Sequence, residues 1–289
     1  MSSKLKAASV SIFANTGLLV TKLIVAIITG SVGMLAECLH SGFDLVASFL
    51  AFIGIKMAQR PDDETHHFGH EKFESLSSLM QSVLIAITAV LVIFEAYHKF
   101  KNPGIVESPG IGIILMIITI PVAIFVSKYL ARIAKNSGGS QALEADSAHF
   151  TTDVIASVAV LLGLLCVKLG FPQGDAIAAI IVALIMLHIS YKLIKITFKV
   201  FMDYSPDAAT MKKIRRTIAE FKDVHYHKLR ARMAGSKILL EFHIQVKSTL
   251  TVVESHDKAM QIKRKLLRKV PSIKDVTIHV EPKGKHSKK

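Results

Sequence analysis

Residues 31–58 read SVGMLAECLHSGFDLVASFLAFIGIKMA, and this run decides how the chain folds. It is long and apolar enough to cross a bilayer as a helix. Yet His40 and Asp44 sit within it. An imidazole or carboxylate in a bilayer interior costs several kcal/mol unless it has a partner or a task. The two are four residues apart, so they share one helix face. Residues 141–168, QALEADSAHFTTDVIASVAVLLGLLCVK, repeat the pattern with His149 and Asp153.

Depth ties the two pairs together. The first run starts near Ser31 on one membrane face, the second near Ser140 on the other. Each His–Asp pair lies about 9–13 residues in, or roughly 14–20 Å at the helical rise. In a hydrocarbon core about 30 Å thick, both reach the midplane. One such pair alone is as well explained by a hydrogen bond within its own helix. Two pairs at matching depth favour one shared site of two imidazoles and two carboxylates. That set suits tetrahedral zinc. Magnesium and calcium prefer all-oxygen shells, which the histidines argue against. Glu37, Glu144 and Asp146 lie on the same two runs. They read as pathway or supporting residues, Asp146 being placed to orient or replace a ligand. Asn15 and Lys22 read as hydrogen-bonding groups within the bundle, and His188 as structural.

The rest of the chain agrees with a membrane protein. Of 289 residues, 51% are hydrophobic, and the mean hydropathy is +0.44. That is too apolar for an ordinary soluble chain. Six hydrophobic helices are expected, over 8–29, 31–58, 75–98, 110–134, 141–169 and 176–202. Between them lie Thr29-Gly30-Ser31, the polar run Arg60 to Glu74, Asn102-Pro103-Gly104 with Ser108-Pro109-Gly110, residues 136–140, and Gly170 to Gly174. The first run is too long for a cleavable signal peptide. Cys38 and Cys166 both fall in apolar runs, which excludes a disulfide framework and a cysteine-only zinc site. Lys4, Lys6, Lys56, Arg60, Lys72, Lys128, Arg132 and Lys135 share one side, opposed by Lys99, Lys101 and Lys168. The richer side is cytoplasmic by the positive-inside rule, which places both termini inside.

From about residue 205 the pattern changes. Residues 1–204 carry 15 Lys and Arg against 14 Asp and Glu; residues 205–289 carry 21 against 8. Nearly all of the +14 net charge therefore lies in the tail, as expected of the cytoplasmic side. Residues 207–221 read as a helix, 224–232 and 237–247 as strands joined at Ala234-Gly235-Ser236, 252–269 as a helix and 275–281 as a third strand. Leu240, Phe242, Ile244 and Val246 alternate with Glu241, His243 and Gln245. The expected division is a six-helix membrane domain, 1–204, then a cytoplasmic αββαβ, ferredoxin-like α+β domain, 205–289.

Two further places are dense in metal-ligating types. The loop from Asp62 to Glu71 holds Asp63, His66, His67 and His70. The tail holds His227, His243, His256, His279 and Glu281, three of them on the polar faces of strands.

Taken in order, the motifs are HxxxD in the second helix, Asp-Asp-x-x-His-x-Phe-Gly-His after it, and Ala-Asp-x-x-His-x-x-x-Asp in the fifth. A small His-rich α+β domain follows. The chain closely resembles the cation diffusion facilitator family over nearly its whole length, and Phe68-Gly69-His70-Glu71-Lys72-Phe73-Glu74-Ser75 adds to the likeness. The resemblance implies a homodimeric exporter that moves Zn²⁺, or Fe²⁺, Cd²⁺, Co²⁺ or Mn²⁺, out of the cytoplasm in exchange for protons. It implies a transport site at His40, Asp44, His149 and Asp153, and an interfacial site at Asp63, His66 and His70. It implies a cytoplasmic binuclear site at His227, His243, His256, His279 and Glu281. At the last of these positions the family often has Asp; Glu281 keeps the carboxylate on a longer arm. It also implies a charge interlock at the dimer between Lys72 and Asp203. Histidine at the first position of the second-helix motif goes with zinc and speaks against manganese.

The expectation is thus an integral protein of the plasma (inner) membrane, a secondary transporter rather than an enzyme. Zinc would be its substrate and regulatory ligand; protons, membrane lipid and a second copy would be its partners. A histidine-box membrane metalloenzyme would need several HxxxH or HxxHH clusters, and no HExxH is present. A nucleic-acid binder would need aromatic or Arg-rich recognition segments; the tail charge is mostly scattered Lys.

Overall fold

A computed structural model describes residues 2–29, 32–101, 109–168 and 173–284. The inter-helix segments read at Gly30-Ser31, 102–108 and 170–172 lie outside these residues, as do tail lysines beyond 284 and the side chains of Glu37, Lys99, Cys166 and Lys168. The chain forms two units, Met1–Phe198 and Lys199–Lys289.

Among the described residues, six long helices run through the first unit: α1 (Ser3–Thr29), α2 (Val32–Ala58), α3 (Lys72–Lys101), α4 (Pro109–Asn136), α5 (Gln141–Lys168) and α6 (Gly174–Phe201). Among the described residues, four stretches are long and apolar enough to cross a membrane: Ser3–Ile28, His40–Ala58, Lys72–His98 and Ala176–Phe201. The polarity of the bundle is inside out. Phe13, Ile27, Ile28, Phe94, Phe125 and Leu184 are exposed, while Ser11, Asn15, Ser48, Gln81, Ser82, Thr152 and Ser190 are buried. Lipid solvates the apolar side chains, so the polar ones must turn inward and find partners.

They do so across helix pairs. The Ser77 hydroxyl donates to the Leu50 carbonyl (2.7 Å), joining α3 to α2. Ser190 donates to the Ser82 carbonyl (2.7 Å), joining α6 to α3. Ser127 and Ser147 donate to each other's carbonyls at 3.0 and 2.9 Å, joining α4 to α5. At one end of the bundle Lys4 pairs with the buried Glu74 at 2.9 Å, tying α1 to α3. Helix α1 packs on α2 and α4, and α5 packs on α2, α3 and α4. The result places α2 beside α5.

The second unit is built by a change of period. Helix α7 (Ala208–Ala219) precedes β1 (His225–Ala234) and β2 (Lys237–Val246); α8 (Val252–Lys269) then leads to β3 (Ile273–Pro282). The sheet order is β1-β2-β3, with β1 antiparallel and β3 parallel to β2. A two-residue turn joins β1 to β2, and Gly235 takes φ +60° there, a conformation that favours glycine. Parallel pairing of β3 requires a crossover, which α8 supplies. Ile214 and Ile218 of α7 and Ile262 and Leu266 of α8 cover Leu240, Phe242, Ile244 and Val276. One sheet face is thereby sealed, and the alternating polar residues stand on the other. Asp207 caps α7 by accepting from Thr210 N–H (2.9 Å). Thr251 and Glu254 form a capping box on α8.

Gly54 marks a close approach of α2 to α3. A Cβ there would lie 2.3 Å from Ser77 Cβ and 3.1 Å from the Phe73 carbonyl oxygen, whereas one at Gly17 would meet nothing within 4 Å. Gly54→Ala should therefore destabilise the bundle by about 1–3 kcal/mol, the usual cost of overpacking. Gly17→Ala should be neutral or slightly stabilising. Thermal unfolding of the detergent-solubilised protein measures both.

Candidate metal centres

Three clusters of ligand-type side chains form among the described residues, each assembled by a different local device. In the membrane bundle, the i, i+4 spacing stacks His40 over Asp44 on α2, with His40 Nε2 3.9 Å from Asp44 Oδ1. The ligand atoms of His40, Asp44 and Asp153 all lie within 4.8 Å of one another. His149 Nε2 donates to Asp44 Oδ1 at 2.9 Å, so α5 reaches α2 directly. Asp44 and His149 are buried; His40 and Asp153 are partly open. The Lys22 ammonium lies within coulombic reach of both Asp44 and Asp153. His149 Nδ1 is buried and makes no hydrogen bond among the described residues.

The second cluster is made by a turn. The Asp63 carboxylate accepts from the Thr65 hydroxyl (2.8 Å) and from the backbone N–H groups of Thr65 (3.0 Å) and His66 (2.7 Å). These bonds hold its carboxyl well below the usual range, the Thr65 hydroxyl contributing most. Gly69 takes φ +86° and its N–H bonds the His66 carbonyl at 2.8 Å. That tight reversal returns His70 to Asp63, with Nε2 3.2 Å from Oδ2. His66 Nδ1 is 3.3 Å from Oδ1, and the two imidazoles are 4.3 Å apart. His70 is buried against Phe73, whereas Asp63 and His66 are exposed. His67 is exposed beside this cluster.

The third is made by strand register. His227 pairs with His243 across β1 and β2, and His243 with His279 across β2 and β3. Three imidazoles thus stand in one row across the polar face. Glu281, two residues beyond His279, reaches back to them. His243 Nδ1 donates to Glu281 Oε1 (2.6 Å), His227 Nε2 donates to Oε2 (3.0 Å), and His279 Nε2 is 3.7 Å from Oε1. An irregularity follows His227, with Lys228 at φ +49°, and it shifts register before Arg230. His256, exposed on α8, does not join the cluster.

Asp203 and Lys72 belong to different units. Asp203 ends α6 in a left-handed conformation, φ +51°, with Tyr204 N–H bonded to the Lys199 carbonyl (2.9 Å). Its carboxylate accepts from Arg232 at 3.0 Å. Lys72 opens α3. His188 is exposed on α6.

Thr65, which bonds Asp63, and Ser11 and Ser48, which lie beside the membrane cluster, are not singled out by the sequence. A hydroxyl carries no signal by spacing alone. Thr65 had one available clue, its place two residues after Asp63, where Asp side chains commonly accept backbone and hydroxyl bonds.

A bundle with apolar exterior, polar interior and buried His–Asp clusters, followed by a small His-bearing sheet domain, is the architecture of a membrane protein that handles cations. Residues 8–202 match the cation efflux transmembrane domain, and residues 206–283 match the cation efflux protein cytoplasmic domain. The chain belongs to the cation efflux, or cation diffusion facilitator, family.

It is 30% identical over 276 residues to an uncharacterized transporter of Methanocaldococcus jannaschii, covering 94% of this chain and 95% of that one. It is 28% identical to the cation-efflux pump FieF of Serratia proteamaculans, covering 92% and 88%. Among solved structures, the metal-bound C-terminal domain of the CzcD transporter from Thermotoga maritima matches at 32% identity. That match covers 27% of this chain and 93% of that domain, with a TM-score of 0.27. The two family matches make the chain an integral membrane cation efflux transporter.

Glu281 gives a pH test of the sheet cluster. Its carboxyl is held below the ordinary value of 4.5 first by the bond from His243, then by that from His227. A depressed carboxylate adds stability above its ordinary value, and loses it as pH falls through the lowered one. In chelator-treated protein, the C-terminal unit should therefore lose stability as pH drops below 4.5. Glu281→Gln should flatten that part of the pH dependence, read by circular-dichroism melts across the acid range.

Proposed function

We propose that this chain exports zinc from the cytoplasm in exchange for protons, as a homodimer with six spans per subunit. It sits in the plasma (inner) membrane with both termini on the cytoplasmic side. His40, Asp44, His149 and Asp153 hold the ion at mid-depth. One observation carries the reading: three of these four side chains bring ligand atoms within 4.8 Å, and the fourth hydrogen-bonds one of them at 2.9 Å. Two imidazoles and two carboxylates match zinc's preference for four N and O donors.

The same contact supports proton exchange. A ring nitrogen that donates to Asp44 cannot at once ligate a metal, so a proton and the ion compete for one atom of His149. Imidazole suits that competition, because its unperturbed pKa is near 6.5. Zinc arriving from the cytoplasm displaces the proton. The bundle rocks to the other face, and protons from outside release the ion. This is alternating access, with α2 and α5 as the elements the ion bridges.

Asp63, His66 and His70 form a second zinc site at the membrane surface. His227, His243, His256, His279 and Glu281 form a regulatory site in the tail, where zinc crosslinks the sheet and biases the bundle. Its present grouping supports three of those five as the nucleus, His227, His243 and Glu281. Lys72 and Asp203 are assigned to an interlock at the dimer, with Arg232 already beside Asp203.

In proteoliposomes with an imposed proton gradient, Asp153→Ala should abolish zinc flux. Wild-type flux from that variant would overturn the site. Replacing both His243 and His279 by Ala should leave maximal flux in place but remove its dependence on cytoplasmic zinc. Unchanged zinc dependence would remove the regulatory role.

A further inference from the structure

Beside the membrane ligand cluster runs a chain of four polar side chains that takes no part in it. Ser11 and Asn15 come from α1, Ser48 from α2 and Asp146 from α5, and all four are buried. The Asn15 amide donates to the backbone carbonyl of Asp44 (3.2 Å) and to the Ser48 hydroxyl (2.7 Å). Ser48 donates to Asp146 Oδ1 (3.1 Å), and Ser11 lies 2.6 Å from the Ser48 oxygen. Ser11 also hydrogen-bonds the Asp146 side chain, and with its proton directed at Asp146 the Ser48 oxygen accepts from Asn15.

We infer that Asn15, Ser48 and Asp146 are positioning residues that fix the direction in which Asp44 presents its carboxylate to the ion. The inference rests on the reading of His40, Asp44, His149 and Asp153 as the zinc site. Ser48 is four residues after Asp44, so it occupies the next turn of the same face. Asn15 grips both ends of that turn: the carbonyl of the ligand residue and the hydroxyl one turn on. Asp146 is three residues before His149, on the neighbouring turn of α5. The chain therefore joins the turn bearing Asp44 to the turn bearing His149, alongside the direct bond between those ligands. Helix α2 is clamped to α5 at two successive turns, and α1 holds the clamp from behind.

The chemistry favours positioning over filling space. Serine, asparagine and aspartate are costly in a bilayer interior, and aliphatic side chains would occupy that volume at lower cost. Hydrogen bonds in series polarise one another in a low dielectric, so the chain stiffens the turn as a unit. The polar atoms of Ser48 and Asn15 are engaged with each other. Among the described residues Asp146 stands outside the ligand cluster.

The test is zinc transport by the full-length protein in proteoliposomes, with KM and turnover measured separately. Ser48→Ala should raise the zinc KM about three- to ten-fold, the worth of one lost hydrogen bond, while turnover at saturating zinc changes much less. Ser48→Thr, which keeps the hydroxyl, should recover most of the affinity. Asn15→Ala should behave like Ser48→Ala. Asn15→Ala combined with Asp146→Leu should cost less than the two separate effects together, because both act through Ser48. The idea is overturned if Ser48→Ala and Asn15→Ala keep the wild-type KM while their melting temperatures fall, or if the effects of Asn15→Ala and Asp146→Leu simply multiply. Asp44→Ala separates the two layers of the argument. If it too leaves the zinc KM unchanged, the ligand assignment fails. If it alone acts, the assignment stands and the positioning role falls.

Discussion

A carboxylate buried in a helix bundle within a bilayer has to be answered by another side chain. In this protein His149 of α5 answers Asp44 of α2 across 2.9 Å, and much of the bundle follows from that contact. It holds two helices in register at one depth. It brings Asp153 and His40 to the same point. Polar groups of α1 are drawn inward to satisfy what surrounds it, and the outer faces are left to Phe, Ile and Leu. Because lipid offers no hydrophobic drive between helices, serine-to-carbonyl bonds and a glycine contact at Gly54 take over the joining.

The three ligand clusters show three ways for a chain to gather the same side-chain types. On helices the period of 3.6 does it, through residues four apart. In the loop a carboxylate collects backbone N–H groups, and Gly69 supplies the reversal. On the sheet, pairing register lines up one histidine per strand. The devices differ in stiffness. The helical cluster is held by packing on several sides, while the loop and sheet clusters lie at the surface, with His66 and His279 open to water.

Much of this was legible before any coordinates. Long apolar runs announce helices, and the tail's alternation announces strands, so the limits of α8 and the start of β2 agree with the sequence reading. The His–Asp spacing was legible because a helix converts a sequence interval into a face. Other features were not. Ser48 and Ser11 were silent because a serine in an apolar helix looks the same whether or not it has a long-range partner.

The histidine row also bears on how the sheet assembles. Side chains alternate faces along a strand, so a slip of β3 by a single residue would carry His279 and Glu281 through to the core side and bring Ile278 and Val280 out. The meeting of Glu281 with His227 and His243 belongs to the correct pairing alone. An ion captured by those groups would bind only a correctly paired sheet. The cluster would then act as a proofreader of the fold, rewarding the one alignment of three strands in which its donors converge.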